Sequence, residues 1–107
     1  MSNSTLHLNL KKKWFDMILD GQKREEYREI KPFWTKRILE RWENDDRQET
    51  ITFSNGYSKD RRQMVVEFKS LDQHCGLPAW GAEYDVKYYV LGLGKIISTT
   101  NCDKIMG

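Results

Sequence analysis

Short segments in which apolar and polar residues alternate are the feature that most limits the fold of this chain. The first is residues 5–10, where Leu6, Leu8 and Leu10 fall on one face of a predicted strand. Further strands are predicted at residues 23–30, 51–53, 64–68, 86–93 and 95–99. Short strands separated by turns at this spacing favour a mainly β, barrel-like sheet over a parallel α/β fold.

Two amphipathic helices are predicted in the N-terminal half of the chain, which makes the fold mainly β with two helices (α+β). The first covers residues 11–20, with Asn9 as its expected N-cap and Gly21 ending it in a left-handed turn. The second begins at Pro32, a residue that suits the first turn of a helix. The residues expected to face the core from this second helix are Trp34, Ile38 and Trp42.

Length and composition limit the class of protein. A chain of 107 residues is long enough for one domain, predicted over 1–107, and too short for two. Its apolar runs are far shorter than the ~20 residues that a membrane helix needs, and its first residues lack the pattern of a signal peptide. We therefore expect a cytoplasmic protein with no membrane partner, and the sequence leaves its oligomeric state open.

The two cysteines, Cys75 and Cys102, are too few for a disulfide framework and are not spaced as C-x-x-C. Reduced thiols are therefore expected. A zinc site that combines them with His7 and His74 has little support, because no ligand spacing typical of zinc is present. We predict neither a metal nor a cofactor.

The charge of the chain is nearly balanced, at +2, so a nucleic-acid site would have to come from local clustering of cations. Lys11, Lys12 and Lys13 form such a cluster where the first helix is expected to begin. Lysines at this end oppose the helix dipole, but together with free N–H groups they can bind a phosphate. The alternative is that they are ordinary solvated surface lysines.

Residues 72–85 show no clear periodicity and form a long predicted loop for a domain of this size. The loop contains Trp80 beside Gly81. We expect it to border or cover a ligand pocket, with Trp80 offering an aromatic face on which a base can stack.

A motif of the form G-x-K-x-x-E-x-R lies between the first helix and the second strand and consists of Gly21, Lys23, Glu26 and Arg28. With the order of the surrounding elements, it resembles the signature of the ASCH domain, a relative of the PUA RNA-binding domain. The resemblance covers nearly the whole chain. It implies a β pseudo-barrel with helices at its ends, a cleft where the three charged residues meet, and an RNA or modified-nucleoside ligand.

The chemistry of the three charged residues suits such a ligand. Arg28 offers a planar fork of donors, Lys23 a point charge, and Glu26 an acceptor that can read an amino group on a base. The same residues could instead neutralise one another and only hold the end of the barrel shut.

The resemblance also raises the alternative of an enzyme. Some ASCH proteins are amidohydrolases that deacylate N4-acetylcytidine with a lysine after Gly-x, a threonine three positions later and a distant glutamate. Lys23 matches the lysine, whereas Glu26 stands where the threonine would be. The distant glutamate has no assignable counterpart, and Glu67 and Glu83 are only conceivable candidates. Other ASCH proteins are ribonucleases, for which Lys23 and Glu26 could act as acid and base if burial shifts their pKa values.

The first hypothesis is therefore a binding domain for RNA or a modified nucleoside, with Lys23, Glu26, Arg28 and Trp80 in the site and the lysine cluster on the phosphates. A small hydrolase is the second hypothesis, in which Lys23 and Glu26 would be catalytic. A domain that binds another protein through its surface is the third.

Overall fold

The computed structural model describes residues 5–44 and 46–102. Its strands form one mixed sheet of five strands in the order β1-β3-β4-β5-β2. The strands are β1 (Thr5–Asn9), β2 (Glu25–Glu29), β3 (Thr50–Asn55), β4 (Arg62–Cys75) and β5 (Lys87–Thr100), with helix α1 (Lys12–Leu19) between β1 and β2. The fold is therefore α+β, as predicted.

The second helix, between β2 and β3, consists of three consecutive segments: α2 (Pro32–Trp34), a π-helical stretch (Thr35–Leu39) and α3 (Glu40–Glu43). Ile38 is buried, and Trp34 and Trp42 pack against the main core, which confirms the predicted inner face. The spacing of apolar residues indicated a helix but could not show the π-helical stretch, because these short bulges depend on local packing.

The strand pairing places β1 and β2 at the two edges of the sheet. β1 runs parallel to β3, and the other neighbouring strands are antiparallel. The alternation predicted for β1 is confirmed, since Leu6 and Leu8 are buried and His7 is exposed. Closure into a pseudo-barrel is not confirmed, because β1 and β2 are not hydrogen-bonded to each other in the sheet.

The C-terminal half differs from the prediction in the length of its strands. Residues 72–75 belong to β4 rather than to a loop, and residues 87–100 form one strand, β5, instead of two. The register between β4 and β5 shifts between Val65 and Ser70. Residues 72–75 pair regularly beyond the shifts, but all four are exposed, so they show no period-two pattern of burial. A side chain at Gly92 or Gly94 would collide with the side chain of Ser70 or Glu67, so these two side chains pass close to the backbone of β5.

Helix α1 ends where the sequence predicted but begins differently. Gly21 has a φ of +87°, the left-handed conformation expected after the helix. The N-cap is Lys11, which makes no side-chain capping bond, so the prediction of Asn9 is wrong. Asn9 ends β1 instead, because its side-chain amide donates a hydrogen bond of 2.8 Å to the carbonyl of Gly56 and stabilises the neighbouring turn.

The main core lies between the sheet and the two helices. Phe15 and Ile18 of α1 pack there against sheet residues such as Phe53 and Leu91. A smaller cluster, Tyr27 with Ala82 and Val90, is buried separately. In the described ranges, no helix has the length and apolar character required to span a membrane.

Candidate functional site

Lys23 is buried between α1 and β2, with only 1% of its side chain exposed. Its Nζ donates hydrogen bonds to the carbonyls of Glu25 at 2.7 Å and Trp80 at 2.9 Å. Burial lowers the pKa of Lys23, and the nearby carboxylate of Glu26 partly offsets this. The lysine is therefore held rigidly by the chain around it.

The Glu26 carboxylate lies between two cations. Its Oε1 is 2.8 Å from Lys23 Nζ, and its Oε2 accepts a short hydrogen bond from Arg28 Nη1. Oε1 is fully buried, and its counter-ion is the Lys23 ammonium, which has a third N–H beside the two that the carbonyls accept.

Arg28 is the most exposed of the three residues, with 15% of its side chain accessible. Its Nη1 also donates to the carbonyl of Tyr27 at 2.8 Å, and its Nη2 lies 3.4 Å from the carbonyl of Asn9. The guanidinium carbon is 5.3 Å from the centre of the Trp34 ring. A ligand that approaches Glu26 from solvent would therefore meet Arg28 first.

Aromatic rings surround the buried lysine. Its Nζ lies 4.9 Å from the centre of the Tyr27 ring and 5.5 Å from that of Trp14, distances at which a ring attracts a cation. The Tyr27 hydroxyl donates to Glu25 Oε1 at 2.9 Å and accepts from the Leu77 N–H at 3.0 Å. Burial raises the pKa of Tyr27 to about 12, so the ring stays neutral at physiological pH.

The segment between β4 and β5 covers Lys23. It contains a short 3₁₀ helix, Pro78–Trp80, and it contacts the lysine through the Trp80 carbonyl. The Trp80 ring is partly buried against the Tyr27 cluster. Gly81 follows with a φ of +106°, and an added Cβ would lie 3.2 Å from the Trp14 ring, so this segment and α1 approach closely.

The lysine cluster, Lys11 to Lys13, is exposed. It lies apart from Lys23, Glu26 and Arg28, which form the buried trio. Lys12 forms an ion pair of 2.7 Å with Asp16, and Lys13 lies 4.7 Å from the centre of the Trp14 ring. Because Lys23 approaches the same ring, Trp14 connects the cluster with the buried trio. This connection could not be inferred from the sequence, where the spacing of Trp14 indicated a core residue only.

If the cluster lysines contact the phosphates of an RNA, as the sequence predicts, replacement of all three with alanine should weaken RNA binding and reduce its salt dependence. Each phosphate contact on a single strand contributes about 0.7 to the slope of log K against log salt, so the slope should fall by about 2 at most. Binding is measured at several salt concentrations, with thermal melts to confirm folding. A slope equal to that of the parent would remove Lys11, Lys12 and Lys13 from the site.

The two cysteines and His74 lie next to backbone carbonyls or are exposed to solvent. Both thiols are free; Cys75 is exposed, whereas Cys102 is buried near the carbonyls of Gln63 and Thr100. The described part of the chain contains no group of three or more metal-ligating side chains. His74 Nδ1 donates a hydrogen bond of 2.8 Å to the carbonyl of Cys75.

Comparison of the chain with protein-family models, curated proteins and solved structures returned no match. The likeness to the ASCH domain rests on the motif of Gly21, Lys23, Glu26 and Arg28 and on the order of the elements around it. Three of the motif residues form the buried network described above.

Proposed function

We propose that this chain is an ASCH-like domain that binds RNA or a modified nucleoside through Lys23, Glu26 and Arg28. The observation that carries the proposal is the buried Glu26 carboxylate, held between Lys23 and Arg28, with Arg28 as the more exposed of the two cations. A ligand that approaches past Arg28 would find a charged acceptor in this carboxylate. Hydrogen bonds to charged groups contribute about 1.5–3 kcal/mol.

A nucleobase edge offers the groups that this site lacks. Cytosine and adenine carry an amino donor beside a ring-nitrogen acceptor. Glu26 would accept from the amino group while the Arg28 fork donates toward the neighbouring acceptor. Trp34 lies beneath Arg28, and Trp80 lies in the segment that covers Lys23 and packs against the Tyr27 cluster. We propose these two rings as the faces on which a base stacks.

The proposal includes the pseudo-barrel that the resemblance implies. Arg28 belongs to one edge strand, β2, and its Nη2 contacts the carbonyl of Asn9 at the end of the other edge strand, β1. The two edges therefore approach each other at the position of the network, which supports a curled sheet. Two free cysteines suit the reducing cytoplasm, where we propose that the protein acts.

The hydrolase hypothesis has weaker support in this geometry. A lysine that acts as a base or nucleophile needs a free lone pair. Lys23 Nζ instead donates to two carbonyls and lies against Glu26. Of the two conceivable distant glutamates, Glu83 lies on the surface. Glu67 lines a cavity together with Lys23 but accepts a hydrogen bond of 3.2 Å from the Lys95 N–H.

A panel of nucleosides and short RNAs, tested for both binding and turnover, separates these hypotheses. Calorimetric titration measures affinity, and chromatography of the same mixtures detects any deacylated nucleoside or cleaved RNA. Binding without product supports the proposal. Turnover would favour the hydrolase, and failure of every ligand to bind would favour a structural ion-pair network or a protein-binding domain.

Trp80→Ala is expected to weaken nucleoside binding without unfolding the domain. Stacking on an aromatic ring contributes about 1–3 kcal/mol per base, so the dissociation constant should rise about 5- to 100-fold. The hydrogen bond from Lys23 is retained, because it is accepted by the backbone carbonyl of residue 80. Leu77→Ala, at an exposed position of the same segment, is the control, and equal affinities for both variants would remove Trp80 from the site.

A further inference from the structure

A cavity lies beside the candidate site, on the other side of Asn9. It has a volume of about 400 Å³ and lies between β1, the turn after β3 and the start of β4. Ligand pockets commonly have volumes of about 300–1,000 Å³. The lining residues that matter here are His7, Asn9, Gly56, Tyr57, Arg61 and Gln63.

Tyr57 is unusual because 87% of it is exposed on a well-anchored turn. The Asn9 amide donates to the Gly56 carbonyl at 2.8 Å, and Arg61 Nη1 donates to the Ser58 carbonyl at 2.9 Å. Asn101 adds a contact of 3.3 Å to the carbonyl of Arg61. The turn thus presents an aromatic ring to solvent on a fixed backbone. Proteins that bind single-stranded nucleic acids stack the bases on aromatic side chains.

Cations accompany this ring. Lys59 and Arg61 lie in the same turn, and within the described residues neither forms an ion pair. Arg61 lines the cavity itself. An aromatic face with unpaired cations matches a base and its phosphates better than it matches an apolar ligand.

Asn9 joins this cavity to the candidate site directly. Its carbonyl is 3.4 Å from Arg28 Nη2, while its side-chain amide holds Gly56 of the turn. Asn9 therefore lies between Arg28, which would read the first base, and the edge of this cavity. Neighbouring nucleotides of one strand could occupy both positions.

We propose that the cavity at Tyr57 binds a second nucleotide, so that the ligand is a single-stranded nucleic acid and not a free nucleoside. One base lies at Glu26 and Arg28, and the next stacks on Tyr57 with its phosphate near Arg61. This inference rests on the proposed function, since it assumes that the first base binds at Arg28.

The experiment compares cytidine with short oligocytidylates, in ribose and deoxyribose forms, by calorimetric titration into the parent, Tyr57→Ala and Tyr84→Ala. Tyr84 is the matched control because it is equally exposed, at 87%. Tyr57→Ala should weaken oligonucleotide binding about 5- to 100-fold and leave cytidine binding unchanged. Tyr84→Ala should bind both ligands as the parent does. The two sugar forms show whether the strand is RNA or DNA.

Two outcomes overturn the inference: unchanged oligonucleotide binding by Tyr57→Ala, or an equal loss in Tyr57→Ala and Tyr84→Ala. Neither depends on the first site, which is tested separately by cytidine binding to Arg28→Ala. If Arg28→Ala binds cytidine like the parent, the proposed function fails even where Tyr57 contacts the strand. If no ligand binds the parent, both proposals fail.

Discussion

Glu26→Ala is expected to lower the free energy of unfolding by about 3–5 kcal/mol, because it leaves two cations without their shared carboxylate. Lys23 and Arg28 are 1% and 15% exposed at the side chain, so water cannot replace the lost anion efficiently. Small domains have total stabilities of only about 5–15 kcal/mol, so this loss leaves the fold marginal. Urea denaturation at neutral pH, followed by tryptophan fluorescence, measures the change.

Glu29→Ala is the matched control for this prediction. Glu29 lies on the same strand and forms an ion pair of equal length, 2.8 Å, with Lys31, but both side chains are more than half exposed. Lys31 lowers the pKa of Glu29. Because exposed ion pairs contribute little to stability, Glu29→Ala should unfold almost like the parent. Similar losses in the two variants would contradict the buried network.

Arg28→Ala is expected to weaken nucleoside binding by about 1.5–3 kcal/mol, or roughly 10- to 100-fold, because hydrogen bonds to charged groups contribute that much. The substitution removes the donor fork and the cation that orients Glu26. Arg28→Lys should recover only part of the affinity, since an ammonium cannot donate two parallel bonds. Calorimetric titration measures both, and thermal melts show which variants are folded at the temperature used.

Arg37→Ala controls for the loss of an arginine that stacks on an aromatic ring. The guanidinium carbon of Arg37 lies 3.7 Å from the centre of the Phe33 ring, much as Arg28 lies over Trp34, but Arg37 is exposed on the second helix. Its affinity for nucleosides should equal that of the parent. If Arg28→Ala is folded and also binds normally, the three motif residues form a structural ion-pair network only.

The sequence predicted the elements whose packing is regular. Alternation located β1, and the four-residue spacing of Trp34, Ile38 and Trp42 located the second helix and its inner face. The sequence did not predict the full length of β4 and β5, because residues 72–75 and 95–100 are all exposed and therefore show no period-two pattern. The N-cap prediction failed at Asn9 because the side chain binds the Gly56 carbonyl, a contact between residues 47 positions apart.

The sequence identified Lys23, Glu26 and Arg28 as candidate site residues but did not predict that they are buried. Charged residues normally lie at the surface, and nothing local indicates that Lys23 is enclosed. Its burial depends on the carbonyl of Trp80, 57 residues later, and on the rings of Trp14 and Tyr27. Tyr57 was missed as well, although an aromatic residue directly after Asn55-Gly56 and before a basic run is a usable signal.

A calorimetric comparison of cytidine with uridine, titrated into the unmodified protein, tests the central claim most directly. Cytidine presents an amino donor where uridine presents a carbonyl oxygen. A carboxylate has no hydrogen to donate, so Glu26 can pair with the amino group but not with the carbonyl oxygen. A site built around a hydrogen bond to a ligand N–H rejects an analogue that lacks it. The account predicts that cytidine binds at least about tenfold more tightly than uridine, which corresponds to about 1.4 kcal/mol. Equal affinities, or no binding of either nucleoside, would contradict it.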